Sequence, residues 1–262
     1  MQQRAGGDST GMGEPSPTSM ADFAIDVKGV SHVFGTTTAL EDLDLQVEAG
    51  EFVSLIGPSG CGKSTVLRLT AGLIRPTSGT IEVESDNIGY IFQEPTLMPW
   101  RTVAKNIELL GEIEGMDRTE RSRRAVEVLE MVGLGEFRDH YPLQLSGGMK
   151  MRTSIARSLL LDPHVFLFDE PFGALDQISR SRMNEELTNL FATKRFASLL
   201  VTHSVEEAIF LASRLLVMCS RPGKIVAEFK IPFEFPRDPA IRYLPEFAVL
   251  AGEVAEALGE AS

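Results

Sequence analysis

The stretch GPSGCGKST, residues 57–65, follows the apolar run FVSLI (52–56) and opens a run of helical character from Lys63 to about Leu73. It fits the pattern G-x-x-x-x-G-K-[ST] in the strand–turn–helix setting that the pattern needs, and it reads as a phosphate-binding loop (P-loop). Glycines let consecutive backbone N–H groups curl round an anion, and a helix N-terminus adds about half a positive charge. Lys63 is expected to reach the β- and γ-phosphate oxygens of a nucleotide. Ser64 is expected to place its hydroxyl on Mg²⁺, which takes few protein oxygens beside those of phosphate. Gly57, Pro58, Ser59, Gly60, Cys61, Gly62 and Thr65 complete the cradle.

The rest of the chain has the rhythm of an α/β protein. HVFLF (164–168), SLLVT (198–202) and LLVMCS (215–220) are short apolar runs separated by helical stretches, as in a buried parallel sheet. FAIDVKGV (23–30) and EDLDLQVEAGEFVSLIG (41–57), with a turn at Ala49-Gly50, alternate apolar and polar residues and predict half-buried antiparallel strands. Further strands are expected at 80–84 and 88–92, and a helical region over about 95–155. Within that region Asp117 and Glu120 have the spacing of a capping arrangement, Ala125, Val128, Leu129 and Val132 follow at helical intervals, and Gly133 ends the helix. A last helix is expected over Pro245–Leu258.

Composition excludes several classes. With 43% apolar and 24% charged residues the chain is globular, and no apolar run approaches the roughly 18 residues of a membrane helix. A net charge of −12 opposes nucleic-acid binding, which needs clustered Lys and Arg, but leaves a local nucleotide site feasible. Cys61 and Cys219 are too few for a disulfide framework and fit a reducing cytoplasm. Residues 1–22, rich in Gly, Ser, Thr and Pro, are expected to be a disordered leader, with Met20 a candidate natural start.

Two further stretches carry chemistry. VFLFDEP (165–171) ends a buried strand with two acids, where open α/β sheets bind ligands. Asp169 then suits Mg²⁺, directly or through water, and Glu170 suits the orientation and activation of an attacking water. LSGG (145–148) precedes a helix expected over Met149–Leu160, so that Ser146, Gly147 and Gly148 present a second set of anion donors. Alone, such a turn is usually no more than a helix cap.

Taken together these segments resemble the ATP-binding cassette ATPases, the motor subunits of ABC transporters, over about residues 22–230. The resemblance implies a P-loop NTPase (RecA-like) core with a parallel sheet, an N-terminal antiparallel β-subdomain and a helical insert. The expected divisions are the leader 1–22, an ATPase domain 23–235 with its insert at about 95–155, and a C-terminal tail 236–262. It further implies that Phe34 stacks on adenine and that Gln93 senses Mg²⁺ and the γ-phosphate. Asp176, in GALD, would link the halves of a dimer, and His203 would contact the γ-phosphate. His32, His140 and His164 match nothing and read as structural. In this family two cassettes pack head to tail, the P-loop of one facing the LSGG turn of the other across ATP. Position 149, usually Gln, is Met here.

FQEPTLMPW (92–100), RPGKI (221–225) and the LSGGM form of the signature look like the nitrate, sulfonate and taurine importer group. The implied partners are a second copy, integral membrane permease subunits met by the insert around Pro95, Pro99 and Trp100, and indirectly a substrate-binding protein. The implied location is peripheral, on the cytoplasmic face of the inner membrane. A DNA-repair relative would carry a long coiled coil and a translation factor two cassettes, and a small-molecule kinase would lack LSGG. A purely structural P-loop protein would lack Glu170.

Overall fold

The computed structural model describes residues 23–261. The leader and Met20 lie outside the described residues. In chain order the strands are β1 (Phe23–Phe34), β2 (Thr37–Glu48), β3 (Phe52–Ile56), β4 (Ser78–Val83), β5 (Ile88–Ile91), β6 (Val165–Asp169), β7 (Ala197–Val201), β8 (Arg214–Met218) and β9 (Ile225–Lys230). The helices are α1 (Lys63–Thr70), α2 (Val103–Ile107), α3 (Leu109–Ile113), α4 (Arg118–Met131), α5 (Gly147–Leu159), α6 (Gln177–Lys194), α7 (Val205–Leu211) and α8 (Pro245–Glu260).

Two sheets form. β2, β1 and β4 make an antiparallel sheet, and the larger one has the order β5-β6-β7-β3-β8-β9. Its first five strands are parallel and β9 closes the edge antiparallel to β8. The expectation for residues 41–57 therefore holds in part. β2 pairs antiparallel with β1, whereas β3 is buried at all five positions and runs parallel between β7 and β8. The alternation in its sequence is weak because helices cover one face and the small sheet covers the other, which leaves no polar side.

Successive residues of the buried strands feed two cores. Val53, Leu55, Leu167, Leu199 and Leu216 pack with β1, β2 and α1. Phe52, Ile56, Phe166, Phe168, Leu200 and Leu215 pack with residues of α2 and α4–α8. The tail belongs to this second core, since Phe247 and Val254 of α8 are buried in it, with Leu250 and Leu258 beside them. Spacings of three and four residues put these side chains on one helix face.

The stretch 95–155 is not helical from its start. Pro95 and Pro99 lack the amide protons a helix requires, and helix begins only at α2, where Thr102 accepts the Lys105 N–H. The irregular segment is clamped by side chains instead. Buried Arg157 donates to the carbonyls of Pro95 and Thr96, while fully buried Asn106 accepts the Met98 N–H at 2.7 Å. Asn106 also donates to the carbonyls of Met98, Arg101 and Thr102. Asp117 caps α4 as expected, but Glu120 does not close a capping box, because Arg123 and Arg124 hold its carboxylate and pull it down to about pKa 2. Asn106→Ala removes the acceptor of the partly buried Met98 amide and three donated bonds, and should lower unfolding free energy by about 2–3 kcal/mol, measured by denaturant titration.

Candidate active site

The tip of the β1–β2 hairpin, the P-loop and the ends of β6 and β7 meet at one edge of the parallel sheet. Gly35 makes the hairpin turn with φ of 57° and leaves Phe34 49% exposed at its tip. Buried His32 packs edge-on against it, ring centroids 4.4 Å apart, which orients the Phe34 ring. The P-loop follows β3. A Cβ on Gly57 would meet Cys61 Sγ and the Met218 carbonyl at 2.8 Å, and Gly62, with φ of 106°, caps α1 in a conformation that suits glycine.

An open cleft of about 330 Å³ is lined by Phe34, Ser59, Gly60, Gly62, Lys63, Ser64, Thr65 and Glu170, together with Thr37, Ala39 and Arg221. The Lys63 ammonium, nearly buried, donates to the carbonyls of Gly57 (2.7 Å) and Pro58 (3.0 Å). Ser64 donates to Asp169 Oδ1 at 2.8 Å. Tyr90 donates to the other oxygen, Oδ2, at 3.2 Å, and burial followed by the charge of Asp169 pushes the phenol pKa up, so the proton stays on it. Glu170 sits at φ of 47°, a strained angle for a side chain of its kind, while its N–H still donates to the Val201 carbonyl. Its Oε2 lies 3.0 Å from His203 Nδ1. Gln93 joins from β5, its amide nitrogen 3.4 Å from where a Cβ on Gly173 would stand, with the Glu170 carboxylate on the same side of that glycine.

Not every expected residue opens on this cleft. Cys61 offers the cleft no side chain, because its thiol is buried in the core and raised in pKa by that burial, and its N–H donates to Pro58. The α5 helix starts at Gly147, two residues earlier than expected, with Ser146 as its cap accepting the Met149 N–H. Ser146 and Gly148 line a different depression, with Gly133, Met149, Arg152 and Ser179. Gly147 packs under Leu175 of the GALD loop. Asp176 caps α6, and the Ser179 N–H and hydroxyl hold its carboxyl below the usual range. Tyr90 and Arg221 were not expected at the cleft, since Tyr90 reads only as part of an apolar strand and RPGKI only as a likeness to a group of relatives, and the tertiary fold brings both in.

A cradle of amides with a lysine, a hydroxyl–carboxylate pair and a carboxylate–imidazole pair, at the edge of a parallel sheet, define a P-loop ATPase. The ABC transporter family model matches residues 40–173. The nitrate import ATP-binding protein of Synechocystis is 42% identical over 89% of this chain and 94% of its own. The aliphatic sulfonates import ATP-binding protein of Pseudomonas syringae is 44% identical over 85% of this chain and 90% of its own. Among solved structures, a dimeric ATP-binding cassette bound to ADP and Pi superposes with a TM-score of 0.68 at 32% identity, covering 80% of this chain and all of that one. The chain belongs to the ABC transporter family, as an ATP-binding subunit with ATPase activity. Among the described residues no helix is long and apolar enough to cross a membrane.

Tyr90→Phe should loosen the Asp169 carboxylate without unfolding the protein. With Asp169 as the Mg²⁺ group that the sequence leads us to expect, the Mg²⁺ concentration for half-maximal ATPase should rise roughly threefold to tenfold at unchanged melting temperature.

Proposed function

We propose that this chain powers import of a small anion of the nitrate or sulfonate class through a separate membrane permease, as two copies packed head to tail on the cytoplasmic face of the membrane. One observation carries the dimer. The chain has two glycine-rich helix starts, and Ser146 and Gly148 line a depression that is not the P-loop cleft. A second copy related by two-fold symmetry supplies the missing half of each cleft. The relative bound to ADP and Pi is itself dimeric, and the two import subunits at 42% and 44% identity support the solute class.

In this reading Lys63 leaves the Gly57 and Pro58 carbonyls for the β- and γ-phosphates, and Phe34 takes the adenine. The Ser64 hydroxyl and the Asp169 carboxylate, 2.8 Å apart, are a hard-oxygen pair of the kind Mg²⁺ accepts beside phosphate. Mg²⁺ would neutralise charge on the phosphates there. Gln93 and His203 face the γ-phosphate side. His203, with Nδ1 3.0 Å from Glu170 Oε2, aims that carboxylate, and Glu170 takes the proton of the attacking water. Asp176, beside Leu175 over the Gly147 turn, sits where the two copies meet. The units are the ATPase domain 23–235, with the insert at about 95–155 facing the permease, and the tail 236–262.

Lys63→Ala should abolish tight ATP binding in calorimetry. Glu170→Gln should cut turnover by about 10²–10⁴-fold while leaving ATP bound, so that a dimer accumulates in sedimentation. Normal hydrolysis by that variant would remove Glu170 as the base. Trp100, 72% exposed on the segment clamped by Asn106 and Arg157, is the permease contact. Trp100→Ala should reduce stimulation of the ATPase by reconstituted permease and leave basal activity intact.

A further inference from the structure

The segment joining β8 to β9, residues 219–224, is held against the cleft by main-chain contacts. The Gly223 N–H donates to the Ala39 carbonyl at 3.0 Å, and the Gly223 carbonyl accepts the Glu41 N–H at 3.4 Å. Lys224 pairs with Glu41 at 2.8 Å. The Cys219 N–H donates to Lys224, and the Ser220 N–H donates to Ala261 at the end of α8. Gly223 lies so close to the P-loop that a Cβ there would come within 2.1 Å of the Cys61 carbonyl. The segment and the P-loop are therefore one packed unit.

This unit carries Arg221 to the mouth of the cleft, where it lines the opening with Phe34, Thr37, Ser59 and Gly60. One guanidinium nitrogen stands 3.5 Å from the position of a Cβ on Gly60, directly beside the glycine turn. Arg221 is exposed and, among the described residues, has neither a hydrogen-bond nor an ion-pair partner. The contrast with the neighbouring cation matters in a chain of net charge −12, for Lys224 is paired with Glu41. An unneutralised guanidinium next to an anion cradle presents planar donors to whatever anion the cradle holds.

We propose that Arg221 is a second cation for the polyphosphate of the bound nucleotide, donating to phosphate oxygens from the mouth of the cleft while Lys63 does so from its floor. The proposal rests on the reading of the cleft as the nucleotide site. Because Arg221 is exposed, its contribution is sensitive to salt, whereas that of nearly buried Lys63 is less so. A lysine at position 221 keeps the charge and loses the planar fork, and so recovers part of the effect.

Dissociation constants of ADP and of a non-hydrolysable ATP analogue, measured by calorimetry at low and high salt, test this with wild type, Arg221→Ala, Arg221→Lys and Lys63→Ala. Arg221→Ala should weaken both nucleotides about tenfold at low salt, flatten the salt dependence and leave the melting temperature unchanged, with Arg221→Lys between it and wild type. Wild-type affinity in Arg221→Ala, with Lys63→Ala still defective, overturns the role of Arg221 and leaves the cleft reading standing. A loss accompanied by a lower melting temperature and an unaltered salt dependence also overturns it, as a packing effect. Wild-type affinity in Lys63→Ala removes the cleft reading and the Arg221 proposal with it.

Discussion

The side-by-side parallel pairing of β6, β7 and β3 is the constraint on which the rest of the structure depends. Phe168 pairs with Leu200, Asp169 with Val201, and Leu55 with the same Val201 on the other side, so three strands end level at one sheet edge. Their next residues are then the P-loop, Glu170 and the Thr202–His203 segment. With the P-loop glycines turning the chain into α1, that level edge brings Ser64 to Asp169 and Glu170 to His203. The strain at Glu170 follows from the same pairing, since its amide stays bonded to the Val201 carbonyl while its side chain bends across to β7. The depth of the two cores beneath these strands holds the edge rigid, because a close-packed interior does not deform by small amounts.

An acidic chain must concentrate positive potential to hold a triphosphate, and this one does so with oriented groups more than with net charge. Backbone amides of the P-loop, the start of α1 and the Lys63 ammonium act within a few ångströms, where diffuse surface charge is screened. Lys63 resting on the Gly57 and Pro58 carbonyls keeps a nearly buried ammonium satisfied, and an incoming phosphate exchanges neutral oxygens for charged ones. The second glycine turn has no such lysine. Ser146 caps its helix with its oxygen accepting, so its hydroxyl proton and the first amides of α5 remain to be used by an anion brought from outside the chain.

The P-loop, the acid pair at the end of β6 and the LSGG turn were legible in the sequence because their chemistry is local, confined to one turn or strand end. The parallel strands were legible through their apolar runs. The burial of β3 on both faces was not, since its five residues resemble half of a hairpin until the helices that cover them are placed. Residues 95–102 were read as helix although two prolines stand there, and the clamp that orders them comes from Asn106 and from Arg157, some sixty residues on. Tyr90 and Arg221 reach the site through pairings between strands distant in the chain. Their types, a tyrosine in an apolar strand and an arginine in a turn, carry no signal on their own. A last helix over 245–258 was legible, but its docking onto α7 and β8 depends on surfaces formed by other elements.

The central claim is that each nucleotide is held by the P-loop of one copy and the LSGG turn of another. It is tested most directly by cross-linking two differently labelled copies, one carrying Thr37→Cys at the cleft and the other Gln144→Cys just before the LSGG turn. Both should carry Glu170→Gln to prevent hydrolysis, with the native Cys61 and Cys219 replaced by serine. The account predicts a mixed covalent dimer formed with a short bifunctional reagent in Mg-ATP and lost when nucleotide is withheld. Absence of that species in Mg-ATP, even with the permease present, or an equal yield without nucleotide, would contradict it.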